Sequence, residues 1–122
     1  MRLYEPDDFE MIRGWFNKRN MKAPLSHYLP KLGFIEDFHA ACFLVETDTP
    51  VAYLDFLISN PGSETVARHA AINQIVFNLM REAKKRGFSV IKATSQLESV
   101  AKMAHDFGYT NIGIFNTYIR EL

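Results

Sequence analysis

The sequence predicts an α/β fold in which one mixed sheet carries helices on its faces. Three observations lead there. Apolar runs of strand length alternate with segments of helical periodicity along the chain. One long helical segment, 64–86, separates strand-like runs at 51–59 and 88–93, which requires a parallel, right-handed β-α-β crossover at the centre. The length, 122 residues, suits a single domain, 1–122, that buries about two-thirds of its unfolded surface.

Each element has its own signal. Met1 to Glu5 is a short extended piece. Pro6-Asp7-Asp8-Phe9-Glu10 reads as a helix start, with Asp7 as N-cap and Glu10 completing a capping box. Phe9, Ile12 and Phe16 then share one apolar face. Met21 to Lys31 is broken by Pro24 and Pro30 and predicts irregular structure. Leu32 to Phe38 and His39 to Glu46 read as strands, and the turn cluster Thr47-Asp48-Thr49-Pro50 leads antiparallel into Val51 to Ser59.

Asn60-Pro61-Gly62 stops that strand, and Ser63 is placed to cap the long helix. Its core stripe is Ile72, Ile75, Val76, Leu79 and Ala83. Arg81, Lys84, Lys85 and Arg86 crowd its C-terminus, where the helix dipole favours cations, and Gly87 ends it. Phe88 to Ala93 reads as a buried strand, Leu97 to Phe107 as an amphipathic helix closed by Gly108, and Tyr109 to Leu122 as one or two closing strands. The sheet should therefore hold about six strands.

Composition narrows the function. Hydrophobic residues make up 48% and charged residues 23%, which excludes disorder. Lys and Arg total 14, as do Asp and Glu, so the basic excess of a nucleic-acid binder is absent. No apolar run approaches the roughly 20 residues of a membrane span, and no signal peptide opens the chain. The single Cys42 forms no internal disulfide and fits a reducing, cytoplasmic setting. His27, His39 and His105 lack the spacing of a metal site, so no metal is expected. Cys42 reads as a packed core thiol, and Trp15 and Phe16 as core residues or a partner surface.

Asp55 is the sharpest chemical candidate. It sits in an otherwise apolar strand, alternating with Tyr53 and Leu57, and desolvation there makes a carboxylate a stronger base. A hydrogen-bonded structural carboxylate is the other reading. His69, next to Arg68 at the start of the long helix, is a phosphate or acceptor contact, or a solvated surface residue.

The whole chain resembles the GNAT superfamily of acyl-CoA-dependent N-acyltransferases. Arg2-Leu3-Tyr4-Glu5-Pro6 with Asp7-Asp8 is similar to its first strand and helix start, and Asp55-Phe56-Leu57-Ile58-Ser59-Asn60-Pro61 to its central strand. Lys84-Lys85-Arg86-Gly87-Phe88 resembles the end of its cofactor helix, and Asp106-Phe107-Gly108-Tyr109 the end of its late helix. Trimmed forms in phage and prophage genomes are a fainter resemblance. The resemblance implies transfer of an acetyl group from acetyl-CoA to an amine. The backbone of Leu57, Ile58 and Ser59 would bind the pantetheine arm. The turn Arg68-His69-Ala70-Ala71-Ile72-Asn73 would hold the pyrophosphate, and Asp55 would take the amine proton. The chain departs from the pattern at Ala71 and Asn73, which replace two loop glycines. It departs again at Ala104, where a tyrosine often protonates the thiolate, and at Leu97, where an asparagine often stands; Ser95 or Gln96 is close enough to serve instead. The short 20–31 segment leaves the acceptor side open, which suits a protein or peptide amine; a homodimer is a separate expectation. The alternative is a GNAT-like scaffold that no longer catalyses and binds a protein partner.

Overall fold

The computed structural model describes residues 1–94, 98–113 and 115–122. Ser95, Gln96 and Leu97, singled out above, lie outside the described residues. Five strands form one sheet in chain order: β1 (Arg2–Leu3), β2 (Leu32–Glu36), β3 (Ala40–Val45), β4 (Val51–Ser59) and β5 (Val90–Ala93). The first four run antiparallel to their neighbours. β5 lies parallel to β4, from Val51 beside Val90 to Leu54 beside Ala93. Three helices accompany them: α1 (Phe9–Lys18), α2 (Thr65–Lys85) and α3 (Glu98–Asp106). α2 is the predicted crossover. Among the described residues, no helix is long and apolar enough to cross a membrane.

Period-two alternation in the strands sends side chains to two separate cores. Ala40, Cys42 and Leu44 of β3 face α2, where they meet Ile75, Leu79 and Ala83. Ala41 and Phe43 face α1, where they meet Ile12, Trp15 and Phe16. Trp15 and Phe16 are thus core residues. Phe43 is fully buried, edge-on to Tyr4 at 4.8 Å and to Phe56 at 6.3 Å. Its ring lies over Gly33, where any Cβ would collide with it. Only glycine allows that approach.

Two expectations are corrected. The first helix starts with a 3₁₀ turn, Pro6–Asp8, and Asp8 rather than Glu10 makes the return bond of the cap. Its Oδ2 accepts from the Glu5 N–H at 2.8 Å, while Glu10 pairs with Arg13. Pro6 causes this, because its fixed φ suits the first helical position. Asp8 also binds Arg2 at 2.6 Å, and Arg2 in turn holds Asp37 at 2.7 Å. At the other terminus, 109–113 and 115–122 form no strand, so the described sheet has five strands rather than six. Phe115, Tyr118 and Ile119 stay exposed, so their β propensity finds no cross-strand partner, and Gly113 at φ +144° breaks the extended path.

Candidate functional site

The ladder between β4 and β5 stops at Leu54 and Ala93, yet β4 runs on to Ser59. Among the described residues, no strand pairs with 55–59 on the β5 side. An extended ligand bearing amides can bond such an open backbone edge. On the opposite side of β4, Ala41 pairs with Ile58 and Phe43 with Asp55. Cys42 therefore faces two residues, Phe56 and Leu57, and the extra residue is a β-bulge. Phe56 adopts φ +54°, a conformation aromatic residues rarely take. The bulge reverses the alternation. Ala52 and Leu54 face α2 before it, and Leu57 does so after it.

Asp55 is the last residue before the bulge and the first beyond the β5 ladder. It stands on the α1 side opposite Phe43, and its Oδ1 accepts the Phe56 N–H at 2.7 Å. The carboxylate thus has a hydrogen bond within the bulge. Its side chain is exposed, so the expected desolvation is absent. Leu57, expected on its face, lies on the other because of the bulge.

α2 begins at Thr65, with Glu64 at the N-cap in an extended conformation. Its first helical bond runs from the Arg68 N–H to the Glu64 carbonyl at 2.9 Å. The N–H groups of Thr65, Val66 and Ala67 precede that ladder and point out of the positive end of a 21-residue helix. These free donors lie a turn before the 68–73 segment expected to hold the pyrophosphate. Arg68, His69, Ala70, Ala71, Ile72 and Asn73 are all helical. Ala71 and Ile72 are buried in the α2 core, while His69, Ala70 and Asn73 are exposed. Of the six, Arg68 alone turns back to the helix start, donating to the Ser63 carbonyl at 2.5 Å and to Thr65 Oγ1 at 3.3 Å.

Arg19, which the sequence reading passed over, joins it from the C-terminal end of α1. It donates from Nε to the Ser59 carbonyl at 2.8 Å and from Nη2 to Ser59 Oγ at 2.7 Å. Burial first, and the neighbouring Arg68 charge second, lower its pKa from the usual arginine value. Neither guanidinium forms an ion pair with a carboxylate among the described residues. His39 completes the cluster through Nδ1 and Ser63 Oγ, 2.5 Å apart. Two cations that form no ion pair among the described residues, beside a helix N-terminus whose N-cap is Glu64, give a site where an anion such as a diphosphate meets two positive charges and one negative. The only sequence signal for Arg19 was a basic residue in a helix-ending run. Within the 57–59 edge expected to bond the pantetheine arm, the Ser59 carbonyl already accepts from Arg19. Cys42 is not part of this chemistry. Burial pushes its thiol up to about 12, so it stays protonated.

No family model and no curated protein matches the sequence. Solved structures do. A putative acetyltransferase from Agrobacterium tumefaciens aligns with TM-score 0.68 at 12% identity, covering 98% of each chain. An acetyltransferase of Trypanosoma brucei aligns with TM-score 0.64 at 12% identity, over 99% of this chain and 97% of that one. The aminoglycoside N-acetyltransferase AAC(6')-Iy, solved in complex with CoA, gives 0.66 at 13% identity over 99% of this chain and 98% of its own. Likeness at these identities carries the fold and leaves the chemistry to the site. With its parallel β4–β5 pair, its crossover helix and these neighbours, the chain has the fold of the GNAT acetyltransferases.

Proposed function

We propose that the chain transfers an acetyl group from acetyl-CoA to an amine. The observation that carries this reading is the gap beside β4. Residues 55–59 form an open strand edge with a carboxylate at one end and the Arg19–Arg68 cluster at the other. The four steps from Asp55 to Ser59 span about 13 Å, a length that fits an extended arm running from a diphosphate to a thioester. Arg19, Arg68 and the N–H groups of Thr65 to Ala67 would hold the phosphates, and the edge at Leu57 and Ile58 would bond the arm's amides. Acetyl-CoA supplies an activated acyl group, so the protein's work is binding, orientation and proton removal. Asp55 would accept the proton of the attacking amine, directly or through water.

The acceptor side supports a protein or peptide amine. Residues 20–31 hold only the 3₁₀ turn Ser26–Tyr28, so no second helix encloses the gap. The unpaired Cys42 supports a reducing, cytoplasmic setting. Thermal melting with acetyl-CoA, followed by a thiol-release assay with peptide, polyamine and aminoglycoside acceptors, tests the proposal. A raised melting temperature and thiol release with peptides are the expected results, since a ligand of the native state stabilises by mass action. No shift at millimolar acetyl-CoA would leave only a non-catalytic scaffold.

A further inference from the structure

The sheet face that carries Asp55 bears a second charge besides the proposed base. Ala52, Leu54 and Ile91 pack toward α2. Strand alternation therefore puts Tyr53 and Asp55 of β4, with Val90 and Lys92 of β5, on the opposite face. α1 packs on β4 beyond Asp55, through Phe56 and Ile58. Short of that contact, Tyr53, Asp55, Val90 and Lys92 are all exposed.

Lys92 has a defined place on this strip. It pairs in register with Tyr53, and its Nζ lies 5.9 Å from the centroid of the Tyr53 ring. The negative face of the ring steadies an ammonium there. Among the described residues, Lys92 forms no ion pair. Tyr53 stands two residues before Asp55, so two strand steps and one strand spacing put Lys92 about 8 Å from Asp55 along the backbone.

An amine that gives its proton to Asp55 must lie on this same face. Its molecule then meets a carboxylate at one point and a cation about 8 Å away. The complement of that pair is an amine at one end and an anion at the other. A free amino acid holds its two groups on one carbon, too close together to reach both. One residue of extended chain with a carboxylate side chain covers the distance.

We propose that Lys92, set on the Tyr53 ring, selects acceptors with a carboxylate on the residue next to the reacting amine. This rests on the transfer reading above and names the class of peptide it acts on. Lys92 touches the acceptor alone and takes no part in the bond changes. Charge complementarity of this kind decides which partner docks more than how fast the docked one reacts.

Amidated peptides that differ only in Asp or Asn beside the acceptor residue test this. The parent should show a KM about fivefold lower for the Asp peptide with kcat nearly equal, the size expected of an exposed ion pair. The difference should shrink as salt screens it. Lys92→Arg should keep the preference, Lys92→Met should erase it and Lys92→Glu should reverse it. Lys92 is exposed and outside both cores, so all three variants should melt like the parent. Calorimetric titration of the same peptides into the protein without donor should give the same order of affinities, a readout independent of turnover. Equal KM values in the parent, or a preference that survives in Lys92→Met, would overturn the inference and leave the transfer reading standing. If acetyl-CoA neither shifts the parent's melting nor releases thiol with any acceptor, the transfer reading fails and takes this one with it.

Discussion

At the scale of single residues, Asp55 has two duties that substitution can separate. Its Oδ1 holds the Phe56 N–H in the bulge, and its position beyond the β5 ladder makes it the proposed base. Asp55→Asn keeps an acceptor oxygen for the bulge and loses the base, so melting should hold while the transfer rate falls about 10²- to 10⁴-fold. Asp55→Ala should lose both, with a lower melting temperature as well. A stable, fully active Asp55→Asn would remove Asp55 from catalysis. Cys42 gives a simpler check, since a buried thiol raised to about 12 should resist alkylation at pH 8 until the protein unfolds. The sequence displayed both residues, because an acid within an apolar strand and a cysteine within an apolar run are local signals. It hid the exposure of Asp55, because a bulge is a property of a strand pair, and its partner, Cys42, lies 13 residues away.

Among the elements, α2 was legible from its stripe and its glycine stop, and Ile72, Ile75, Leu79 and Ala83 are all buried as that stripe predicts. The 68–73 pattern expected to hold the pyrophosphate lies inside the helix, and the free N–H groups of Thr65, Val66 and Ala67 precede it. The proposed phosphate contacts at the helix start have a direct consequence. Arg68→Glu and Arg19→Ala should each reduce the acetyl-CoA melting shift, Arg68→Glu abolishing it, while His69→Ala, on the exposed face, should leave it intact. Equal effects from all three would mean that the 68–73 face, not the helix start, meets the phosphates. The C-terminal segment failed as a strand for a different reason. Propensity and alternation were present in the sequence, but a strand exists only with a neighbour to pair with.

For the molecule as a whole, acid should find the end where β1, the first 3₁₀ turn and the β2–β3 turn meet. Hydrogen bonds from Arg2 lower the carboxyls of both Asp8 and Asp37 from their usual range. Carboxyls depressed in the folded state contribute stability that is complete above their unfolded values and is lost as pH falls through the folded ones. Melting should therefore be level down to about pH 5 and decline below about pH 4, and Arg2→Met should shrink that decline. An unchanged acid limb in Arg2→Met would place the sensitivity elsewhere. The bulge carries a further consequence for the entire sheet. It is a shift of phase: β4 is written in one reading frame up to Asp55 and in another from Leu57 onward, and the two cores are read off in those two frames. Deleting Phe56 would restore a single frame. Leu57 would then pair with Cys42 and still face α2, Ile58 would still pair with Ala41 and face α1, and Ser59 would keep its carbonyl on Arg19. Loss of Phe56 should therefore leave both cores assembled, seen as a retained cooperative melt, whereas one residue inserted between Leu57 and Ile58 should turn Ile58 into the α2 core and cost the protein its architecture.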